Sequence, residues 1–242
     1  VRSARTRIIC LLVAATVVGS YPVPAAAQSS SWKQDLDALI GGRPFSVVVG
    51  DGGQIWYRHL PGVRRPPASN QKLLLSMVLL DRFGPGQSIR TELRTPRGVA
   101  DGVVRGDLWI IGRGDPQVGH ASLAELATAI ADRGIRRIAG DVLGATRPFR
   151  RDWWAPGWRD YFPDVYAPLP TALTFEGNAT RRGVHIRDPE RRAAAVLRGK
   201  LEARGVTVRG GASAGAPPAG MRTLASVGSP RFEQLLRSMN VH

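Results

Sequence analysis

The stretch Pro67-Ala68-Ser69-Asn70-Gln71-Lys72-Leu73-Leu74 decides how this chain is read, and Ser69-Asn70-Gln71-Lys72 is its centre. It is an S-x-x-K at the start of a run, Leu73 to Arg82, that reads as a helix. Side chains three residues apart share a helical face, about 5–6 Å between Cβ atoms, so the amine can reach the hydroxyl. A serine beside such an amine is a nucleophile with its own base. Free N–H groups at the helix start, together with its dipole, help hold an oxyanion on an attacked carbonyl. The plain alternative is an N-cap serine followed by a solvated lysine, and the bare pattern does not separate the two. Ser30-Ser31-Trp32-Lys33 matches as well, in what reads as a frayed N-terminal segment.

Context favours Ser69. Upstream, Phe45–Val49 and Gln54–Arg58 read as strands joined by Gly50-Asp51-Gly52-Gly53, a hairpin signal. Arg64-Arg65-Pro66-Pro67 then forbids helix up to Ala68. The helix after Ser69 carries Leu73, Leu74, Met77 and Leu80 and is apolar on most sides, as a buried core helix would be, with Gly84-Pro85 as its stop.

From about Gln87 the texture changes. Short strands are predicted at Ser88–Thr95, Val103–Ile111 and Ile138–Leu143, separated by glycine-rich turns. A helix over Leu123–Arg133 opens with Ser122 and Glu125 at capping-box spacing and closes at Gly134. Phe149–Tyr166 is an aromatic-rich loop holding Trp153, Trp154, Trp158, Tyr161 and Phe162, expected to fill a loop-covered core rather than to stack on sugars. Asp188-Pro189 opens another helix, ending at Gly205. Val206–Arg209 reads as a strand and Ala212–Gly220 as a loop. Ser229-Pro230 caps a last helix with Phe232, Leu235, Leu236 and Met239 on its apolar face.

The first residues read as a secretory signal: Arg2, Arg5 and Arg7, an apolar run Ile8–Val18, and Ala25-Ala26-Ala27 as a cleavage site. A permanent anchor is the alternative, although the run is short for a bilayer. Export is therefore expected, to the periplasm or the extracellular wall space. Cys10, the single cysteine, falls inside the signal, so no disulfide is expected. The formal charge of +15 becomes +12 without the three signal arginines. Lysine occurs only at positions 33, 72 and 200, so the positive charge is almost all arginine. Such a balance suits anionic partners such as wall polymers or lipid head groups at a membrane surface. Export argues against nucleic acid. The histidines at 59, 120, 185 and 242 show no metal-ligand spacing, and no cofactor is implied.

Four segments, in order along the chain, resemble the low-molecular-mass class C penicillin-binding proteins, the D-alanyl-D-alanine carboxypeptidases/endopeptidases. They are Pro67–Leu74; Gly106-Asp107-Leu108-Trp109 with Gly112-Arg113-Gly114-Asp115-Pro116; Ala172-Leu173-Thr174-Phe175 with Asn178; and Phe232–His242. The resemblance implies an α+β fold: a penicillin-recognising serine acyltransferase domain, helices on an antiparallel sheet, carrying a large inserted domain. The expected organisation is a signal over 1–27, the first part of the catalytic domain over 28–87, the inserted domain over 88–186, and a return to the catalytic domain over 187–242.

Carried onto this chain, the resemblance makes Ser69 the nucleophile and Lys72 its base. The substrates would be peptidoglycan stem peptides, and β-lactams would acylate the same serine. The family has three motifs: S-x-x-K, S-D-N or S-x-N, and K-T-G. No K-T-G occurs in the chain, and Ser238-Met239-Asn240, a literal S-x-N, lies within the last helix and reads as a decoy. The catalytic part is therefore expected to be cut before its second and third motifs, with residues 28–87 poorly packed. A class A β-lactamase shares the helix start, but its second motif would follow much sooner. An inactive exported wall-binding protein, using the arginine-rich aromatic region, is the alternative of another class.

Overall fold

The computed structural model describes residues 25–151 and 155–241. The predicted signal up to Pro24, with Cys10, lies outside them, as do Trp153, Trp154 and His242. The chain divides into two compact units, one ending at Pro67 and the other beginning at Ala68.

The first unit holds α1 (Ala25–Ile40) and the strands β1 (Val47–Asp51) and β2 (Gln54–His59). The strands pair antiparallel from Val47↔His59 to Asp51↔Gln54, the hairpin that the glycine-rich turn predicts. The rings of Trp32 and Tyr57 lie 6.1 Å apart, which ties α1 to β2. The Tyr57 hydroxyl also donates to Asp37 Oδ1 at 2.5 Å, and this hydrogen bond holds the phenol above its ordinary pKa. Ser30 and Lys33 sit within α1, not in a frayed segment.

The second unit begins with a 3-10 turn, Ala68–Asn70, leading into α2 (Gln71–Phe83). There follow β3 (Arg90–Thr95), β4 (Val99–Ala100), β5 (Val103–Val104), β6 (Leu108–Ile111), α3 (His120–Asp132), β7 (Arg137–Ile138), β8 (Val142–Ala145) and the short α4 (Phe162–Val165). Then come α5 (Pro189–Glu202), β9 (Thr207–Val208), β10 (Ala212–Gly215), β11 (Arg222–Gly228) and α6 (Phe232–Val241). A five-stranded mixed sheet has the order β10-β8-β6-β3-β11, and a smaller one the order β4-β5-β7-β9. The architecture is α+β.

The core of this unit follows from residue spacing. Leu123, Leu126, Ala127 and Ile130 make one face of α3, and Ala193, Ala194, Leu197 and Leu201 one face of α5; all eight are fully buried. Thr91, Leu93 and Thr95 alternate inward along β3, while β6 is buried along its whole length. Each fully buried Leu or Ile contributes about 1.5–3 kcal/mol. Strand β8 meets the start of α5 at Gly144, where a Cβ would stand 2.1 Å from the Glu190 carbonyl oxygen. Only glycine allows that approach. Glu190 is itself buried and accepts from Arg151 at 2.8 Å.

Several expectations are corrected here. Past the expected boundary at residue 186, α5 packs on α3, β10 pairs with β8, and β11 pairs with β3. The mixed sheet and the helices on it, called the module below, therefore run from Arg90 to Gly228, because the sheet stays open until β11 adds to its edge. Ala212–Gly215 is a strand rather than a loop. Helix α3 starts at His120 with Gly119 as N-cap, and Ser122 lies at its third position, accepting from the Gly119 amide. Ile138–Leu143 is two strands, β7 in one sheet and β8 in the other.

The aromatic loop is corrected too. Phe162 meets Trp158, Tyr161 and Tyr166 at centroid distances of 5.9, 5.2 and 5.2 Å, while Tyr161 and Tyr166 remain exposed. These rings pack on one another at the surface instead of filling the interior. Among the described residues no helix is long and apolar enough to cross a membrane.

What matters for the site is the seam where the module enters and leaves. Because β3 and β11 are neighbours, the chain exits beside its point of entry. Ser229 N–H donates to the Ile89 carbonyl at 2.8 Å, Phe232 N–H to Gln87 at 2.8 Å and Glu233 N–H to Pro85 at 3.1 Å. These bonds bring α6 back against α2. The rings of Phe83 and Phe232 meet edge-on at 5.9 Å.

Candidate active site

Ser69 and Lys72, the two residues singled out by the S-x-x-K spacing, line one cavity of about 400 Å³ together with Asn70, Leu73, Asn240 and Val241. Ser69 lies in the 3-10 turn and Lys72 in the first turn of α2. The N-cap of α2 is Asn70, so Ser69 is not the ordinary capping serine of the plain alternative. Ala68, just before it, is held at φ +46°, a left-handed conformation that costs a non-glycine residue about 1–3 kcal/mol. Ser69 is exposed and Lys72 half-buried, so the hydroxyl is open to a substrate while the amine is sheltered.

The other wall of the cavity is the last turn of α6. Lys72 Nζ donates to the Met239 carbonyl at 3.2 Å. Ser76, one turn along α2 from Lys72, donates from Oγ to the Lys72 carbonyl at 2.8 Å and accepts from Asn240 Nδ2 at 2.9 Å. Ser238, the first residue of the literal S-x-N, is exposed and is not among the residues lining the cavity. Asn240, the third, does reach it. Sequence reading missed Asn240 and Ser76 because each gains its role only when two helices meet.

The remaining motif segments gather elsewhere, inside the module. Gly112 lies under the Ala172–Leu173 backbone, where a Cβ would stand 2.3 Å from the Ala172 carbonyl oxygen. Gly114 N–H donates to that same carbonyl at 2.7 Å, and Thr174 Oγ1 donates to the Asp115 carbonyl. Asp115 Oδ1 accepts from Gln117 N–H at 2.9 Å. Burial pushes the Asp115 carboxyl above its ordinary pKa, partly offset by that amide. Asn178, buried, accepts from Phe175 N–H at 2.8 Å and donates to Leu169 O at 2.7 Å and Thr171 Oγ1 at 2.8 Å. The G-R-G-D-P segment and the Ala172–Asn178 segment thus form one hydrogen-bonded joint that shapes the module. Among the described residues no His, Asp or Glu side chains gather as metal ligands.

Comparison with known proteins gives the family and the fold. Residues 33–183 match the D-Ala-D-Ala carboxypeptidase 3 (S13) family, and the chain belongs to that family. It is 28% identical over 188 residues to the D-alanyl-D-alanine carboxypeptidase of Actinomadura sp. (strain R39). That match covers 72% of this chain and 34% of the relative, so the chain spans about a third of the curated relative's length. The crystal structure of penicillin binding protein 4 (dacB) from Haemophilus influenzae superposes with a TM-score of 0.68 at 14% identity, covering 85% of this chain and 61% of that one. The same protein complexed with a novel β-lactam gives a TM-score of 0.52 at 16% identity, over 72% and 51% of the two chains. At those identities the likeness establishes the fold.

Proposed function

We propose that the chain carries the nucleophile half of a serine D-alanyl-D-alanine carboxypeptidase/endopeptidase that works on peptidoglycan stem peptides outside the cytoplasm. The single observation behind this is that Ser69 and Lys72 open onto one cavity at the start of α2 in a chain of the S13 family. Ser69 Oγ adds to the carbonyl of the penultimate D-alanine as Lys72 takes the hydroxyl proton. The C–N bond then breaks, the leaving D-alanine amine receives that proton, and an ester on Ser69 remains. Water, delivered to the same carbon, hydrolyses the ester and restores the hydroxyl. Free N–H groups at the start of α2, with the helix dipole, would help hold the oxyanion.

β-Lactams are the natural probes of this reading, and the β-lactam complex of the Haemophilus protein supports their use. The segment at residues 1–27 supports export. Of the family's three motifs, Ser69 and Lys72 are the part that these residues put to the test. Incubation with a fluorescent penicillin is expected to label the chain, and the label to vanish in Ser69→Ala. A label that survives Ser69→Ala would overturn the assignment. Salt-sensitive binding to purified wall material, indifferent to Ser69→Ala and without any labelling, would favour the wall-binding alternative.

A further inference from the structure

We infer that Ser76 and Asn240 form a latch that aims Lys72, making both positioning residues of the proposed reaction. The inference rests on the reading of Lys72 as the base. Ser76 is the buried residue of α2, a helix whose leucines face outward. A hydroxyl buried in preference to a leucine needs partners, and Ser76 has both, giving its proton to the Lys72 carbonyl and receiving one from Asn240. The residue before Asn240 offers its carbonyl to the Lys72 amine. That carbonyl lies on α6 beside the start of α2. One turn of α6 therefore meets Lys72 directly at its amine and, through Ser76, at the carbonyl of its backbone.

A lysine side chain has four rotatable bonds, and confining it costs rotamer freedom. The latch meets that cost before a substrate arrives. A carbonyl accepts from an ammonium and from a neutral amine alike, so the grip holds through the proton transfer. In the neutral state the nitrogen lone pair remains free for the Ser69 hydroxyl. The seam at Gln87–Ile89 and Ser229–Glu233 seats α6, so the module's exit strand contributes indirectly to the aim of the base.

The chain suits a direct test, because it holds lysine only at 33, 72 and 200 and methionine only at 77, 221 and 239. The whole chain, labelled with ¹³C at lysine Cε and methionine Cε, gives few signals, and Lys72→Arg identifies the one of interest. In the unmodified protein the two Lys72 ε-protons are expected to be inequivalent, the mark of a held side chain. In Asn240→Leu and in Ser76→Ala they should merge, while the Met239 methyl signal stays in place because α6 is still seated. Ser76→Thr, which keeps the hydroxyl, should recover most of the inequivalence.

Unchanged Lys72 signals in both variants would overturn the latch. So would loss of the Met239 signal position together with that of Lys72, since the contact would then only dock the helix. The penicillin acylation rate constant is read separately, and is expected to fall about tenfold in both variants, the worth of one net hydrogen bond, with the non-covalent affinity unchanged. A loosened Lys72 with an unaltered rate would leave the latch standing and strike instead at Lys72 as the base.

Discussion

Helices α2 and α3 are each 13 residues long and rich in apolar side chains, yet the fold treats them in opposite ways. In α3, Leu123, Leu126 and Ile130 are fully buried beneath α5 and the sheet. In α2, Leu74 is 61% and Met77 67% exposed, and the residue that is buried is a serine. Composition marks a helix for burial but does not supply what buries it. The module from Arg90 to Gly228 contains both layers of its own core. Within its unit α2 has α6 beside it and little else, and the chain spans only about a third of its curated relative. The proposed site and the packed core thus sit in different parts of the molecule.

The largest test of that contrast is a pair of truncations. Leu126→Ala should cost about 2–5 kcal/mol in urea unfolding, the range for cavities in packed cores. Leu74→Ala, which removes an exposed side chain, should stay within about 0.5 kcal/mol. Hydrogen exchange sharpens the same point: amides of α3 and β6 should exchange near the global limit, and those of α2, β1 and β2 much faster. Equal protection in the hairpin and one cooperative melt of the whole chain would break the comparison.

Next in size is Gly144→Ala. Its Cβ would press on the Glu190 carbonyl, forcing β8 and α5 apart at a cost of about 1–3 kcal/mol. A variant as stable as the parent would show that this joint yields more than its geometry implies.

Two carboxylates offer smaller effects of opposite sign. Partial burial alone would raise the pKa of Asp188, at the start of α5, but hydrogen bonds and charge from Arg191 and Arg192 outweigh it and hold the carboxyl below its ordinary value. A depressed folded pKa contributes stability above the unfolded pKa of about 3.9 and loses it as pH falls through the folded value. Asp188→Asn should therefore cost about 0.2–1 kcal/mol at pH 7, as exposed pairs do, and nothing in strong acid. Asp115, raised by burial, behaves the other way. Its contribution is fully present below the unfolded pKa and falls away as pH rises through the folded value. Asp115→Asn keeps an oxygen for the Gln117 amide, so it should gain stability relative to the parent as pH rises from 3 to 7. Melts of both variants across that pH range check the signs.

How far the sequence carries depends on the range of the interaction that makes each feature. The hairpin at Val47–His59 and helices α2, α3 and α5 are local patterns, and they form within a few residues of where periodicity and caps place them. Strand β10, Ala-Ser-Ala-Gly, has no bulky apolar residue to announce it and exists because β8 lies parallel beside it. For the same reason the resemblance carries the expected boundary only to residue 186 and not to Gly228, where the sheet is completed. At the site, Ser69 and Lys72 share one helical turn and can be read from spacing. Ser76 and Asn240 are 164 residues apart and have no common local signal.

The central claim is that Ser69 becomes a nucleophile through the amine of Lys72. Mass spectrometry of the whole chain after prolonged exposure to penicillin tests it most directly, with peptide mapping of any adduct. The account predicts one acyl adduct on the peptide carrying Ser69, absent in Ser69→Ala and strongly reduced in Lys72→Ala. An adduct on another residue, or a Ser69 adduct formed equally fast without the Lys72 amine, would contradict it.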